Sequence, residues 1–161
     1  MQYLYMESPL GPLRIIASYK GIVSVEFVEK VHVSSLHPNE ILLEAKKQLE
    51  EYFNKKRRRF DLPLDPEGTE FQRKVWKLLG EVPYGRVVTY TDIALRYGDR
   101  NAVRAIGAAN GRNRIGIIIP CHRVIASDGS LSGYAAGVWR KEWLLTHERA
   151  INPPGKQMSL F

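Results

Sequence analysis

The chain has 161 residues, with 24 Lys and Arg against 17 Asp and Glu, a formal charge of +7. A hydrophobic share of 44% with 25% charged residues excludes a chain disordered throughout and permits one domain or two small ones. No apolar run approaches the roughly 20 residues that span a bilayer, and the start lacks a basic region followed by an apolar one, so a cytosolic (cytoplasmic) protein without membrane attachment is expected.

Gln2–Met6, Leu13–Tyr19 and Ile22–Val28 are short runs rich in β-branched and aromatic residues, separated by turn signals at Ser8-Pro9-Leu10-Gly11 and Lys20-Gly21. They predict three strands. Ile41, Leu42, Ala45, Leu49 and Tyr52 recur at helical spacing and predict a helix over Asn39–Phe53. Lys55-Lys56-Arg57-Arg58-Arg59 follows as a solvated loop. Pro63, Pro66 and Gly68 mark Phe60–Gly68 as a linker, so a first unit is expected over residues 1–68.

Thr69 and Gln72 fit a capping box that opens a helix with Phe71, Val75, Trp76 and Leu79 on its apolar face and Gly80 at its end. Val82-Pro83-Tyr84-Gly85 reads as a turn and Arg86–Tyr90 as a short extended piece. Asp92–Tyr97, ending at Gly98, and Asn101–Asn110, ending at Gly111, are two helices joined by about three residues, the helix-turn-helix pattern. Ile115–Ile119 is an apolar run leading into Pro120-Cys121-His122-Arg123-Val124. Ser127–Gly137 is rich in Gly and Ser. Val138–Ala150 is a final helix with Trp139, Trp143, Leu144 and Leu145. The second unit is expected over residues 69–150, with a tail over 151–161. The fold class is α+β: a small N-terminal sheet with a helix, then a mostly helical part.

The charge is uneven. Residues 1–68 hold ten Lys/Arg and ten Asp/Glu, while residues 69–161 hold fourteen and seven. The whole excess, 14 − 7 = +7, belongs to the second part, and ten of its cations are Arg. Such asymmetry points to a polyanion, most often nucleic acid; a solubilising surface gives the same count. On Asn101–Asn110, Val103 and Ile106 can face the core while Arg104, Ala108 and Asn101 share another face. Reading bases in the major groove wants several long polar side chains, and this helix has few, which argues against a transcription regulator. Ala102, Ala105, Gly107 and Ala109 make it slim. That suits close approach in the minor groove with Arg104 entering the base stack; tight helix packing explains the small residues as well.

Cys121 is the only cysteine, so neither an internal disulfide nor a multi-cysteine zinc site can form, and His32 and His37 read as surface residues. A thiolate is a nucleophile, a nearby imidazole can take the thiol proton, and a carboxylate can orient that imidazole. A lone cysteine is also commonly a buried small hydrophobe. Spacing alone leaves both open.

Pro120-Cys121-His122-Arg123-Val124 resembles the active-site signature of the O6-alkylguanine-DNA alkyltransferases, also called methylated-DNA–protein-cysteine methyltransferases. The resemblance runs over Phe71–Glu148. Phe71-Gln72-Arg73-Lys74-Val75-Trp76, Val82-Pro83-Tyr84-Gly85, Thr89-Tyr90, Asn113, Gly133-Tyr134 and Leu144-Leu145-Thr146-His147-Glu148 fall in the family's order. The N-terminal third is similar only in size and strand–helix order. The resemblance implies a ribonuclease H-like first domain and a winged-helix-like second one. It implies Cys121 as alkyl acceptor, His122 as its base through a water, Glu148 as the group orienting His122, and Tyr90 as a donor to the guanine ring.

Arg104 would replace the flipped nucleotide, because a stacked base hides its O6 atom from an enclosed thiol. Asn113 would brace the turn before the cysteine. Gln72, Thr91, Arg112 and Ser127 would meet phosphates. Tyr134, the Ala135 amide and Val124 would line the base pocket. The implied partner is double-stranded DNA carrying O6-alkylguanine, with O4-alkylthymine as a second lesion. The implied protein is a monomer, uses no cofactor or metal, and is consumed in one transfer. Alkyltransferase-like proteins, which bind the lesion without transfer, usually lack the cysteine; Cys121 argues against that alternative. Arg114 and Gly116 stand where the family often has Pro, and Ala135 where Ser is common. Gln157-Met158-Ser159-Leu160-Phe161 resembles the Gln-x-x-Leu-Phe peptides with which bacterial repair proteins bind the sliding clamp.

Overall fold

Strand alternation in the first third buries one face of a sheet. In the computed structural model, which describes residues 1–131, 133–152 and 156–157, β1 (Gln2–Met6), β2 (Leu13–Ala17) and β3 (Ile22–Phe27) form an antiparallel sheet in that order. Leu13, Ile15 and Ala17 of β2 are buried while Arg14 and Ile16 between them are less so, the period of two that a one-faced sheet requires. α1 (Glu40–Phe53) packs on this sheet through Leu42, Ala45, Leu49 and Tyr52. Asn39 caps it, its side chain accepting the Leu42 N–H. Beside β1, the Ser34 and Ser35 hydroxyls accept the N–H groups of Tyr5 and Tyr3, which covers an edge strand. His32 packs edge-on against Tyr5.

Backbone contacts divide the chain into two compact units. The first is Met1–Glu67 with Arg114–Ile118; the second is Gly68–Asn113 with the described residues from Ile119 on. Two expectations change here. Phe60–Gly68 is not a slack linker: the Ile22 N–H donates to Pro63 O, the Asp65 N–H donates to Ile22 O, and Ser18 Oγ donates to Asp65 at 2.6 Å. Arg114–Ile118, expected in the second unit, joins the first because β3 offers unfilled backbone groups there. Val25 N–H donates to Arg114 O, and Gly116 N–H donates to Val25 O. A proline at 116 has no N–H to give. Arg114 also pairs with Glu26 at 3.0 Å.

In the second unit the Thr69–Gln72 capping box forms, and α2 (Glu70–Leu79) buries Val75, Trp76 and Leu79. Phe71 is only half-buried, edge-on to Tyr97. β4 (Val88–Thr89) pairs in parallel with β5 (Val124–Ile125). α3 (Tyr90–Tyr97) starts at Tyr90 rather than after it, because Thr89 and Asp92 form a second capping box. It ends at Gly98, whose φ of 100° suits glycine. A 3-10 turn, Arg100–Ala102, is capped by Asp99 and leads into α4 (Val103–Gly111), so the expected helix from Asn101 begins two residues late. α5 (Val138–His147) stops short of Ala150. Arg149 N–H reaches Thr146 O and Ala150 N–H reaches Leu145 O with Arg149 at φ 57°, a Schellman ending that makes Glu148 the C-cap. β6 (Ile151–Asn152) pairs antiparallel with β7 (Lys156–Gln157). The proposed clamp residues Leu160 and Phe161 lie outside the described residues, and Gln157 is described by its backbone only. No helix among the described residues is long and apolar enough to cross a membrane.

Candidate active site

The turn before the cysteine is fixed locally. Pro120, at φ −81° and ψ 62°, centres an inverse γ-turn in which Cys121 N–H donates to Ile119 O at 2.8 Å. Asn113 Nδ2 donates to the same Ile119 carbonyl at 2.9 Å, tying the end of α4 to this turn. Cys121 then opens a 3-10 turn, Cys121–Arg123, followed by β5. Trp76 Nε1 donates to Ala109 O at 2.8 Å and holds α2 against α4. Asn110, buried on α4, approaches the Cys121 carbonyl at 3.5 Å.

Cys121, His122, Arg123, Lys141 and Glu148 are all buried. His122 Nε2 lies 2.8 Å from Glu148 Oε2. A carboxylate only accepts, so Nε2 carries the hydrogen and Nδ1 holds the lone pair. Nδ1 is buried and has no hydrogen-bond partner among the described residues. Arg123 grips the same carboxylate from the other side, Nε to Oε1 at 2.8 Å and Nη2 to Oε2 at 3.0 Å, while its Nη1 donates to Val82 O at 2.7 Å. Glu148 is thus a shared acceptor for an imidazole and a guanidinium, placed at the end of α5 by the Schellman cap.

The charges follow from burial and neighbours. Burial works to raise the Glu148 carboxyl, but His122 and Arg123 outweigh it and hold Glu148 well below the usual carboxylate range. Burial pushes His122 down against the pull of Glu148, leaving a neutral imidazole able to accept a proton. Burial raises the Cys121 thiol; a hydrogen bond from Asn113 and the charge of Lys141 work against it. Burial and the neighbouring Cys121 raise Tyr90, partly offset by Asn110, so its phenol stays protonated. The same two causes raise Tyr134 further. Lys141 Nζ donates to Val124 O at 2.6 Å, and burial lowers its pKa to about 8.

These contacts gather Cys121, His122, Glu148, Tyr90, Asn113, Val124 and Tyr134. Gly133, at φ 84°, passes so near Tyr90 that a Cβ there would sit 3.4 Å from its hydroxyl. Ala135 follows on an exposed stretch whose next turn closes by Gly137 N–H to Tyr134 O. Thr91 and Ser127 hydroxyls lie 3.4 Å apart. Arg104 and Arg112 are exposed on α4 and at its end. Gln72 Oε1 is taken by the Thr69 N–H of the capping box. Three residues escaped the sequence reading as site residues: Arg123, Asn110 and Lys141. Lys141 was findable, because 141, 144, 145 and 148 follow one helical stripe in which it alone is a cation.

The architecture has relatives. The model described as 6-O-methylguanine DNA methyltransferase, DNA binding domain, matches residues 70–150, and that described as its ribonuclease-like domain matches residues 1–66. A methylated-DNA–protein-cysteine methyltransferase of Methanosarcina barkeri is 47% identical over 153 residues, covering 92% of this chain and 97% of that protein. The constitutive protein of that name from Bacillus subtilis is 43% identical, covering 91% and 94%. A crystal structure of Mycobacterium tuberculosis OGT in complex with DNA matches with a TM-score of 0.82 at 40% identity, covering 91% of this chain and 92% of that one.

Proposed function

The chain belongs to the 6-O-methylguanine DNA methyltransferase family and repairs DNA by alkyl transfer; from that premise we propose that Cys121 is the acceptor and is consumed by one transfer. The observation that carries this reading is a buried His122 whose Nδ1 has no hydrogen-bond partner among the described residues, whose other nitrogen is fixed by Glu148, and which directly follows the chain's sole thiol in sequence. The thiol proton passes through a water to Nδ1, and Glu148 stabilises the imidazolium that results. The sulfur attacks the O6-alkyl carbon. The S–C bond forms as the C–O6 bond breaks, and the electron pair goes to the guanine. Tyr90, kept protonated, gives the ring a hydrogen bond and then a proton, so neutral guanine remains in the DNA. The phenol recovers the proton that left the sulfur. O4-alkylthymine presents the same alkyl–oxygen bond and is the second substrate. The product thioether has no easy hydrolytic route back.

The target base reaches the thiol by flipping. α4 enters the minor groove, Arg104 fills the gap in the stack, and Gln72, Thr91, Arg112 and Ser127 hold phosphates. For Gln72 this falls to its Nε2, since Oε1 caps α2. Asn113 braces the cysteine turn, and Tyr134, the Ala135 amide and Val124 enclose the base. The protein works as a cytoplasmic monomer. Its residues Gln157, Leu160 and Phe161 form a sliding-clamp peptide; clamp pull-down should fall on truncation after Lys156, and equal retention would refute that part.

Duplex DNA labelled on the O6-methyl group tests the transfer: wild type should become labelled and Cys121→Ala should not. Tight lesion binding without labelling of wild type would count against the reading. Arg104→Ala should slow repair of duplex at least ~10-fold, the scale of one missing transition-state interaction, yet leave reaction with free O6-benzylguanine nearly unchanged. Equal losses on both substrates would remove Arg104 from flipping.

A further inference from the structure

Lys55-Lys56-Arg57-Arg58-Arg59 lies outside the site and outside the basic excess of the second unit. Residues 1–68 balance at ten cations and ten acids; without this run they hold five against ten, a net of 5 − 10 = −5. One short turn therefore concentrates +5 on an otherwise acidic unit. Its backbone is fixed. The Lys55 N–H donates to Tyr52 O and the Lys56 N–H to Glu51 O at 2.8 Å, with Lys55 at φ 60°, which is a Schellman ending of α1. Arg57 holds the turn, Nε on Glu51 Oε1 at 2.9 Å and Nη1 on Arg59 O at 2.8 Å. Lys55, Lys56 and Arg59 point into solvent.

Two features exceed what a helix end needs. Cations complement the terminal carbonyls of a helix only over about its last turn, and five in succession are more than that uses. Lys55 also occupies the left-handed position where glycine is strongly favoured, so a charge is kept at a cost to the backbone. Neighbouring cations repel one another, and a polyanion relieves that repulsion. We infer that Lys55, Lys56 and Arg59 form a second contact for DNA phosphates, blind to sequence and lesion, on a turn that Arg57 holds rigid. The inference rests on the alkyl-transfer reading only in taking duplex DNA as the polyanion.

The test is affinity for a long undamaged duplex as a function of salt, for wild type and for Lys55→Gly/Lys56→Ser/Arg59→Ser. The slope of log affinity against log salt should become shallower by about 2 to 3, at about 0.9 for each phosphate no longer neutralised. The rate of Cys121 alkylation by free O6-benzylguanine should not change, which shows that the variant is folded. Lys55→Gly alone should lower the slope by about 1 while leaving the unfolding midpoint equal or higher, because it removes a charge and relieves the backbone. Wild-type slopes in both variants would overturn the inference. A wild-type protein that takes up no alkyl group would instead refute the transfer reading, with the salt slopes still reporting on this turn.

Discussion

At the scale of residues, the site assigns opposite states to groups within hydrogen-bonding distance of one another, His122 Nε2 and Glu148 Oε2 being 2.8 Å apart. Glu148 stays ionised because His122 and Arg123 bind it, while His122 beside it is neutral and Cys121 resists ionisation through burial. Three contributions oppose burial at the thiol: the Asn113 hydrogen bond, the Lys141 charge and a backbone hydrogen bond at Cys121 itself. Lys141, with a pKa of about 8, is charged at neutral pH and loses that charge above it. Its charge favours the thiolate, so removing it raises the thiol pKa. Lys141→Met should move the pH profile of Cys121 alkylation by free O6-benzylguanine to higher pH and slow it at neutral pH by ~10-fold per unit of thiol shift. Lys141→Arg should restore most of the rate. An unmoved profile would reduce Lys141 to a support for the Val124 carbonyl.

At the scale of elements, capping chemistry decides where the functional side chains stand. The Thr89–Asp92 box starts α3 at Tyr90, and so sets the phenol at a helix start rather than on an extended strand. Thr89→Ala should cost about 1 kcal/mol in urea unfolding, with Thr89→Ser close to wild type. Unchanged stability in the alanine variant would mean that the cap contributes little. The first box, at Thr69 and Gln72, was readable because its residues stand directly before a clear apolar period. The second was hidden: Val87, Val88 and Tyr90 imitate a strand, and the Asp at the third helical position is a less familiar partner than Glu or Gln. α5 ends at His147, short of the Val138–Ala150 that its spacing predicts, for a related reason. Arg149 takes a left-handed backbone that its identity does not advertise, and Glu148 gains its C-cap position from that.

At the scale of the whole molecule, Pro and Gly cluster between residues 60 and 68 and the charge changes across them, where the backbone contacts pass from one unit at Glu67 to the other at Gly68. What composition could not show is Arg114–Ile118 adding to the first unit, because a backbone bridge to β3 depends on pairing between residues far apart in sequence. The contact of His122 with Glu148, beside Cys121 in sequence, was legible through the family resemblance. The grip of Arg123 on Glu148 was not, because side-chain direction along a 3-10 turn is not written in spacing. On the proposed reading the protein is used once. The direct measurement is to expose it to excess duplex bearing O6-methylguanine, then weigh it intact and map the modification. One methyl group per molecule, carried on Cys121, with repair ending when the protein is exhausted, is the predicted result. Continued repair with Cys121 unmodified, or methyl on another residue, would contradict it.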